Sequence, residues 1–206
     1  MTCVVALTRA CVLDLAQIAG YAGGMIRAFL ALPVPETVAR ALSLVQARLP
    51  LPRPVPPENF HITLAFLDAQ PEPVLEDLHL SLEGLRLPAP RLALAGFGSF
   101  GGAVPDNVHA LIAPDPALSA LQAKVSRAAR QAGIALPARR FAPHITLGRG
   151  PHDAAALARA LAGLTPPRTD PWTAPQMILY RSTLLKSGSA YDPLAAYPLN
   201  PGALPA

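Results

Sequence analysis

The chain has 206 residues, 51% of them hydrophobic and only 15% charged, with a formal net charge of +4 and a pI of about 9.5. This is enough material to bury a sizeable core, and no apolar stretch is long and clean enough to span a bilayer. Cysteine occurs only as Cys3 and Cys11, which excludes a disulfide framework or a Cys-based metal site for the rest of the chain and points to a reducing, cytoplasmic setting. Residues 1–24 are apolar but broken by Arg9 and Asp14, without a signal-peptide core or cleavage site. They read as an upstream extension, with Met25 the expected natural start, or else as a short accessory helix from Val4 to Ile18.

From Met25 the elements alternate regularly. Ile26 to Leu32 reads as a strand, and Glu36 to Leu49 as a helix with Val38, Leu42, Val45 and Leu49 on one stripe. The prolines from Pro50 to Pro57 form a stiff loop. Phe60 to Leu67 is a strand, Pro73 to Leu85 a helix with Val74, Leu78, Leu82 and Leu85 inward, and Arg91 to Phe100 a strand. A glycine-rich turn leads into a strand from Val108 to Ala113. The next helix has Asp115 as N-cap, Pro116 in its first turn, a Leu118, Leu121 and Val125 stripe, and Gly133 at its end. Phe141 to Leu147 is a strand, Asp153 caps a helix running to Leu164, and strands near Gln176 to Leu185 and Tyr191 to Leu199 close the order. Residues 201–206 read as a frayed tail.

The tetrapeptide His-Ile-Thr-Leu occurs at 61–64 and again at 144–147. His61 lies 36 residues after Met25, and His144 lies 36 residues after Val108. The same tetrapeptide inside two matching series of elements argues for an internal duplication. The expected fold is α+β: one domain over 25–200, made of two pseudo-two-fold lobes (about 25–107 and 108–200), antiparallel sheets with helices outside, and an active-site cleft between.

On a strand, side chains alternate between faces, so His61 and Thr63 share one face, roughly 7 Å apart, and Ile62 and Leu64 the other. His144 and Thr146 repeat the arrangement. Two imidazoles and two hydroxyls around one cleft suit phosphodiester hydrolysis, with one histidine as base, the other as acid, and the threonines donating to phosphate oxygens. Zinc would need a third ligand. His79, His109 and His152 have no ligand spacing to either motif and read as surface or partly buried side chains, and Asp68 is the best carboxylate candidate. No metal and no cofactor is expected. The mild basic excess suits a phosphate-bearing partner, although nearly all of it is dispersed arginine, with Lys124 and Lys186 the only lysines.

These paired motifs resemble the two-histidine (2H) phosphoesterase superfamily, and within it the bacterial RNA 2′,3′-cyclic phosphodiesterases, also called 2′-5′ RNA ligases. The resemblance covers about 25–200. It is carried by Met25 to Pro33, Pro57 to Leu67, Gly96-Phe97-Gly98-Ser99-Phe100, Pro143 to Arg149, Leu179 to Leu184 and Tyr191 to Leu194. It implies hydrolysis of RNA 2′,3′-cyclic phosphate ends, tRNA fragments among them, to 2′-phosphates, with reversible 2′-5′ ligation as a further family activity. It implies His61 as proton donor to the leaving 3′ oxygen, His144 as acceptor from water, and Thr63, Thr146 and Arg149 as phosphate-binding residues. Strict alternation puts Arg149 on the face away from His144, so the strand must end or twist there. Two departures stand out: Asp68 replaces the usual glycine, and the Arg53-Pro54-Val55 segment lacks the tryptophan often found before the first motif. Competing readings are a 2H enzyme acting on another cyclic phosphate or a 2′-5′ oligonucleotide, and a non-catalytic RNA-binding module, for which aromatic residues at 5% are thin. A monomer without membrane association is the expectation.

Overall fold

β1 (Met25–Pro33) is an apolar run buried almost throughout, with Leu30, Ala31 and Leu32 wholly inaccessible; such a run has the composition of a fully enclosed central strand. The computed structural model of the chain describes residues 24–138, 140–185 and 188–200. The expected extension therefore lies outside the described residues apart from Gly24, as does the tail at 201–206. After β1 come α1 (Glu36–Gln46), β2 (Arg53–Pro54), a 3-10 turn at Pro57–Asn59, β3 (His61–Pro71) and α2 (Glu72–Glu83). The order continues with β4 (Arg91–Leu92), β5 (Leu94–Phe100), β6 (Asn107–Ile112), α3 (Pro116–Gln131), β7 (His144–Arg149), α4 (Ala154–Ala162), β8 (Trp172–Thr173), β9 (Gln176–Leu185) and β10 (Gly188–Pro198).

The fold is α+β, built on an eight-stranded antiparallel sheet in the order β10-β9-β1-β3-β7-β6-β5, with β2 added alongside β7. One face of β3 and β7 enters the core through Ile62, Ile145 and Leu147, which cluster with Leu42, Leu78, Leu121 and Leu157 from the four helices. The helices are held as their sequences indicate. The Asp115 carboxylate accepts from the Leu118 N–H at 2.7 Å, and Asp153 accepts from Ala156 N–H at 2.6 Å, each satisfying a helix-start donor. Gly133, at φ 82°, ends α3 in the left-handed region.

Several expectations need correction. Arg91 to Phe100 is two strands, because β4 leaves the main sheet to pair with β8, an element absent from the sequence reading. The strand of the second motif begins at His144 rather than Phe141, since Pro143 has no N–H to give a ladder. In α2 the fully buried residues are Leu75, Leu78 and Leu82, Val74 packs partly buried against the core, and Leu85 lies past the helix and is 39% exposed. The proline-rich segment is more than a loop: its Arg53 and Pro54 pair with Arg149 and Gly148. His109 and His152 are buried, at 1% and 8% exposure, more deeply than the surface or partly buried positions expected of them. The 36-residue match also does not mark equivalent positions: Met25 pairs with Pro71 on β3, whereas Val108 pairs with Gly148 on β7.

Candidate active site

β3 and β7 are neighbours at the middle of the sheet, antiparallel, with Ile62 opposite Ile145. From that pair the register sets His61 across from Thr146 and Thr63 across from His144, all four on the face away from the core. They are half-buried, whereas Ile62 and Ile145 have no exposed surface. The residues singled out in the two tetrapeptides thus come together as one cluster on adjacent strands.

The two imidazoles are fixed in the same way. His61 Nδ1 lies 2.7 Å from the carbonyl oxygen of Asn59, and His144 Nδ1 lies 2.7 Å from that of Ala142. A carbonyl only accepts, so each Nδ1 carries the hydrogen and each Nε2 is left for proton exchange. Burial lowers the pKa of His61 to about 4, against the partial support of the Asn59 carbonyl; the charges of Arg149 and His144 push it the same way. His144 is lowered by burial and by Arg149, with the Ala142 carbonyl opposing. Both rings are therefore neutral at pH 7.

Arg149 reaches this face through a bulge. Thr146 pairs with His109 and Gly148 with Val108, so Leu147 is the extra residue on β7. The bulge resets the alternation: Gly148 joins the face of buried Val108, and Arg149, opposite Asn107, joins the face of His144 and Thr146. The bulge is pinned at the Leu147 carbonyl, which accepts from Val55 N–H at 2.9 Å and from the Gln46 side-chain amide at 2.7 Å. Close packing also favours glycine at 148, where a Cβ would lie 2.8 Å from the Leu51 side chain and force it to shift.

β3 carries the same bulge at Leu64, between the Ala31–Thr63 and Leu30–Ala65 pairs. By register the first half then has Phe66, Phe29 and Ala31 where the second has Arg149, Asn107 and His109. The site is consequently polarised. Beside His61, Phe29 stacks on Tyr180 at 5.2 Å between centroids, Tyr191 meets both Phe29 and His61 edge-on, and Phe66 is 47% exposed. Beside His144 lies His109, while Arg149, with Arg53 across the strand from it, acts through its charge on both His144 and His61.

Sequence reasoning missed Arg53, Asn107, His109 and this aromatic group. For His109 a usable signal exists: Val108, Ala110 and Ile112 alternate as one apolar face, which turns His109 toward the motif face. Arg53 carries no such signal, because its place depends on β2 pairing with a distant strand. Asp68 is not at the site as a ligand; it pairs with Arg27 at 3.1 Å and has φ 59°, a left-handed conformation that glycine adopts freely and Asp tolerates. Among the described residues no three His, Cys, Asp or Glu side chains gather as a metal site. Arg140 is exposed, and Arg139 lies outside the described residues.

An antiparallel α+β sheet with two bulged His-x-Thr strands side by side defines a chain of the two-histidine type. Its sequence matches the model of the 2′-5′ RNA ligase superfamily over residues 34–187, and the chain belongs to that family. It is 31% identical over 178 residues to an RNA 2′,3′-cyclic phosphodiesterase of Geobacillus stearothermophilus, an alignment that covers 83% of this chain but only 56% of that protein. A protein of the same name from Thermus thermophilus is 32% identical over 185 residues, covering 84% of this chain and 90% of the relative. Among solved structures, E. coli LigT complexed with 3′-AMP superposes with a TM-score of 0.70 at 25% identity, over 85% of this chain and 98% of LigT. TT0787 of Thermus thermophilus gives 0.69 at 29% identity, over 86% of this chain and all of TT0787.

Proposed function

We propose that this protein hydrolyses RNA 2′,3′-cyclic phosphate ends to 2′-phosphates by acid–base catalysis between His61 and His144, in a cleft between two pseudo-two-fold lobes. One observation carries the reading: two imidazoles, each anchored through Nδ1 to a backbone carbonyl two residues earlier, leave both Nε2 atoms for the same diester. In the reaction, His144 Nε2 takes a proton from water as the water oxygen bonds to phosphorus. The P–O3′ bond breaks, and His61 Nε2 gives its proton to the departing O3′. Solvent then resets the pair. Thr63, Thr146 and Arg149 hold the non-bridging oxygens, where charge builds up in the transition state.

His61 must be an imidazolium to act as donor, and its burial and the nearby Arg149 disfavour that. An anionic phosphodiester between the rings acts in the opposite sense to Arg149 and raises both pKa values, so the donor gains its proton with the substrate. The polarity of the site supports a nucleotide substrate: cationic and polar groups beside His144 suit phosphate, and the Phe29, Phe66 and Tyr191 group beside His61 suits a base. The 3′-AMP held by LigT and the names of the two relatives support the same substrate class. The test is incubation of a nucleoside 2′,3′-cyclic phosphate with excess chelator, followed by identification of the product. Sustained turnover to the 2′-phosphate is expected. No turnover, or turnover only after metal is restored, would defeat the reading.

A further inference from the structure

His109 has no part in the two-histidine scheme, yet the fold is built around it. It sits directly across from Thr146 on β6 and opposite Gly98 on β5, where a Cβ would come within 3.0 Å of its Nε2. Phe100 stacks on it at 4.1 Å and meets His144 edge-on, and the His109 and His144 rings are 4.9 Å apart. Only 1% of the residue is exposed. A polar ring buried this deeply costs stability unless its hydrogen bonds are made.

Its bond leads back to the site. His109 Nδ1 donates to Asn107 Oδ1 at 3.1 Å, and the Asn107 amide donates to Thr146 Oγ1 at 3.4 Å. Burial and the neighbouring His144 lower the pKa of His109 to about 4, so at neutral pH it has a single ring hydrogen, engaged at Nδ1. A threonine hydroxyl has one hydrogen and two lone pairs. With the Asn107 amide donating to one lone pair, the hydroxyl hydrogen is left to donate elsewhere, and His61 lies across the strand from Thr146. A phosphate oxygen there can only accept. The first motif has no such chain, because Phe29 and Ala31 occupy the equivalent positions.

We propose that Asn107 and His109 are positioning residues that hold the Thr146 hydroxyl as a hydrogen-bond donor to the substrate phosphate, a device confined to the second motif. It rests on the phosphodiesterase reading above. Arg149, His61 and His109 are the titratable and charged groups facing His144 in this arrangement, and none of them bonds to Thr146 directly. Gly98 packs directly over the same ring, where a methyl group would lie 3.0 Å from His109 Nε2 and require the ring to give by a few tenths of an ångström.

The experiment is a double-mutant cycle read as kcat and KM on a nucleoside 2′,3′-cyclic phosphate, with thermal melts to confirm folding. Thr146→Val should lower kcat roughly 100-fold by removing a donor to the developing charge. Asn107→Leu and His109→Phe should each lower kcat about tenfold and leave KM within about threefold, as loss of orientation without loss of ground-state contact predicts. Adding Asn107→Leu to Thr146→Val should then cost less than about twofold, because the amide acts only through the hydroxyl. Should His109→Phe fail to fold, the Asn107 cycle decides alone. Losses that multiply in the double variant, or an Asn107→Leu enzyme with unchanged kcat, overturn the proposal. Full activity in both Thr146→Val and His61→Ala would instead overturn the phosphodiesterase reading beneath it.

Discussion

Replacing His109 by phenylalanine should flatten the acid dependence of stability. In the folded chain this histidine is held at about 4 by burial and by His144, against an unperturbed value near 6.5. The folded pKa lies below the unfolded one, so on acidification the unfolded chain binds the proton first. The contribution is whole above pH 6.5 and is lost as the pH falls toward 4. Between pH 7 and pH 5 this one linkage removes about 2 kcal/mol, and with an m value of about 2 kcal/mol per molar that moves a urea midpoint by about 1 M. His61 shifts in the same direction, so the parent chain declines by more than this single contribution. The assay is urea unfolding of parent and His109→Phe at both pH values. The larger ring can strain the core, but that cost enters equally at pH 7 and pH 5 and cancels within the variant. The variant should lose about 1 M less than the parent on going from pH 7 to pH 5. Identical losses in the two proteins would refute the assignment of His109 as a buried neutral histidine.

Arg149→Ala should lower kcat/KM by roughly 10²-fold, at the scale of a lost transition-state donor, and move the pH profile upward, because removing a cation raises both histidine pKa values. Arg53→Ala and Arg140→Ala should act mainly on binding of longer RNA and fade with added salt, which titration of KM at rising ionic strength checks. Gly148→Ala should cost about 1–3 kcal/mol by thermal or urea unfolding, since the new methyl group meets Leu51 at 2.8 Å. The pH maximum of kcat/KM should fall below 6.5, as both rings are lowered in the free enzyme, with the basic limb of kcat displaced to higher pH once the substrate anion is bound.

The parts of the fold legible in the sequence are those set by local rules. Asp115 and Asp153 cap helices because a carboxylate next to free N–H groups is a local fact, and the α1 stripe is legible because a 3.6-residue period needs no partner. The four motif residues could be grouped because a repeated tetrapeptide on a strand fixes which side chains share a face. What escaped depends on pairing. Strict alternation sends Arg149 to the wrong face, and only the Leu147 bulge, held by Gln46 and Val55 from far along the chain, brings it back. Arg53 reaches the site because β2 adds to β7, a register that composition does not encode. The polarity between the Phe66 side and the Arg149 side also emerges only when the two bulged strands are aligned by their ladder partners rather than by counting residues. The equal 36-residue spacing in the two halves led to a false equivalence for that reason.

The most direct test of the two-histidine mechanism compares cyclic phosphate diesters of differing leaving-group quality in the parent, His61→Ala and His144→Ala enzymes. With the natural 3′ alkoxide leaving, each substitution should reduce kcat/KM by roughly 10²–10⁴-fold, and the double substitution by less than the product, because the pair works as one unit. A diester whose leaving group departs without a proton should recover much of the His61→Ala loss and little of the His144→Ala loss. Equal recovery in both variants, or none in either, would contradict the assignment of His61 as donor and His144 as acceptor.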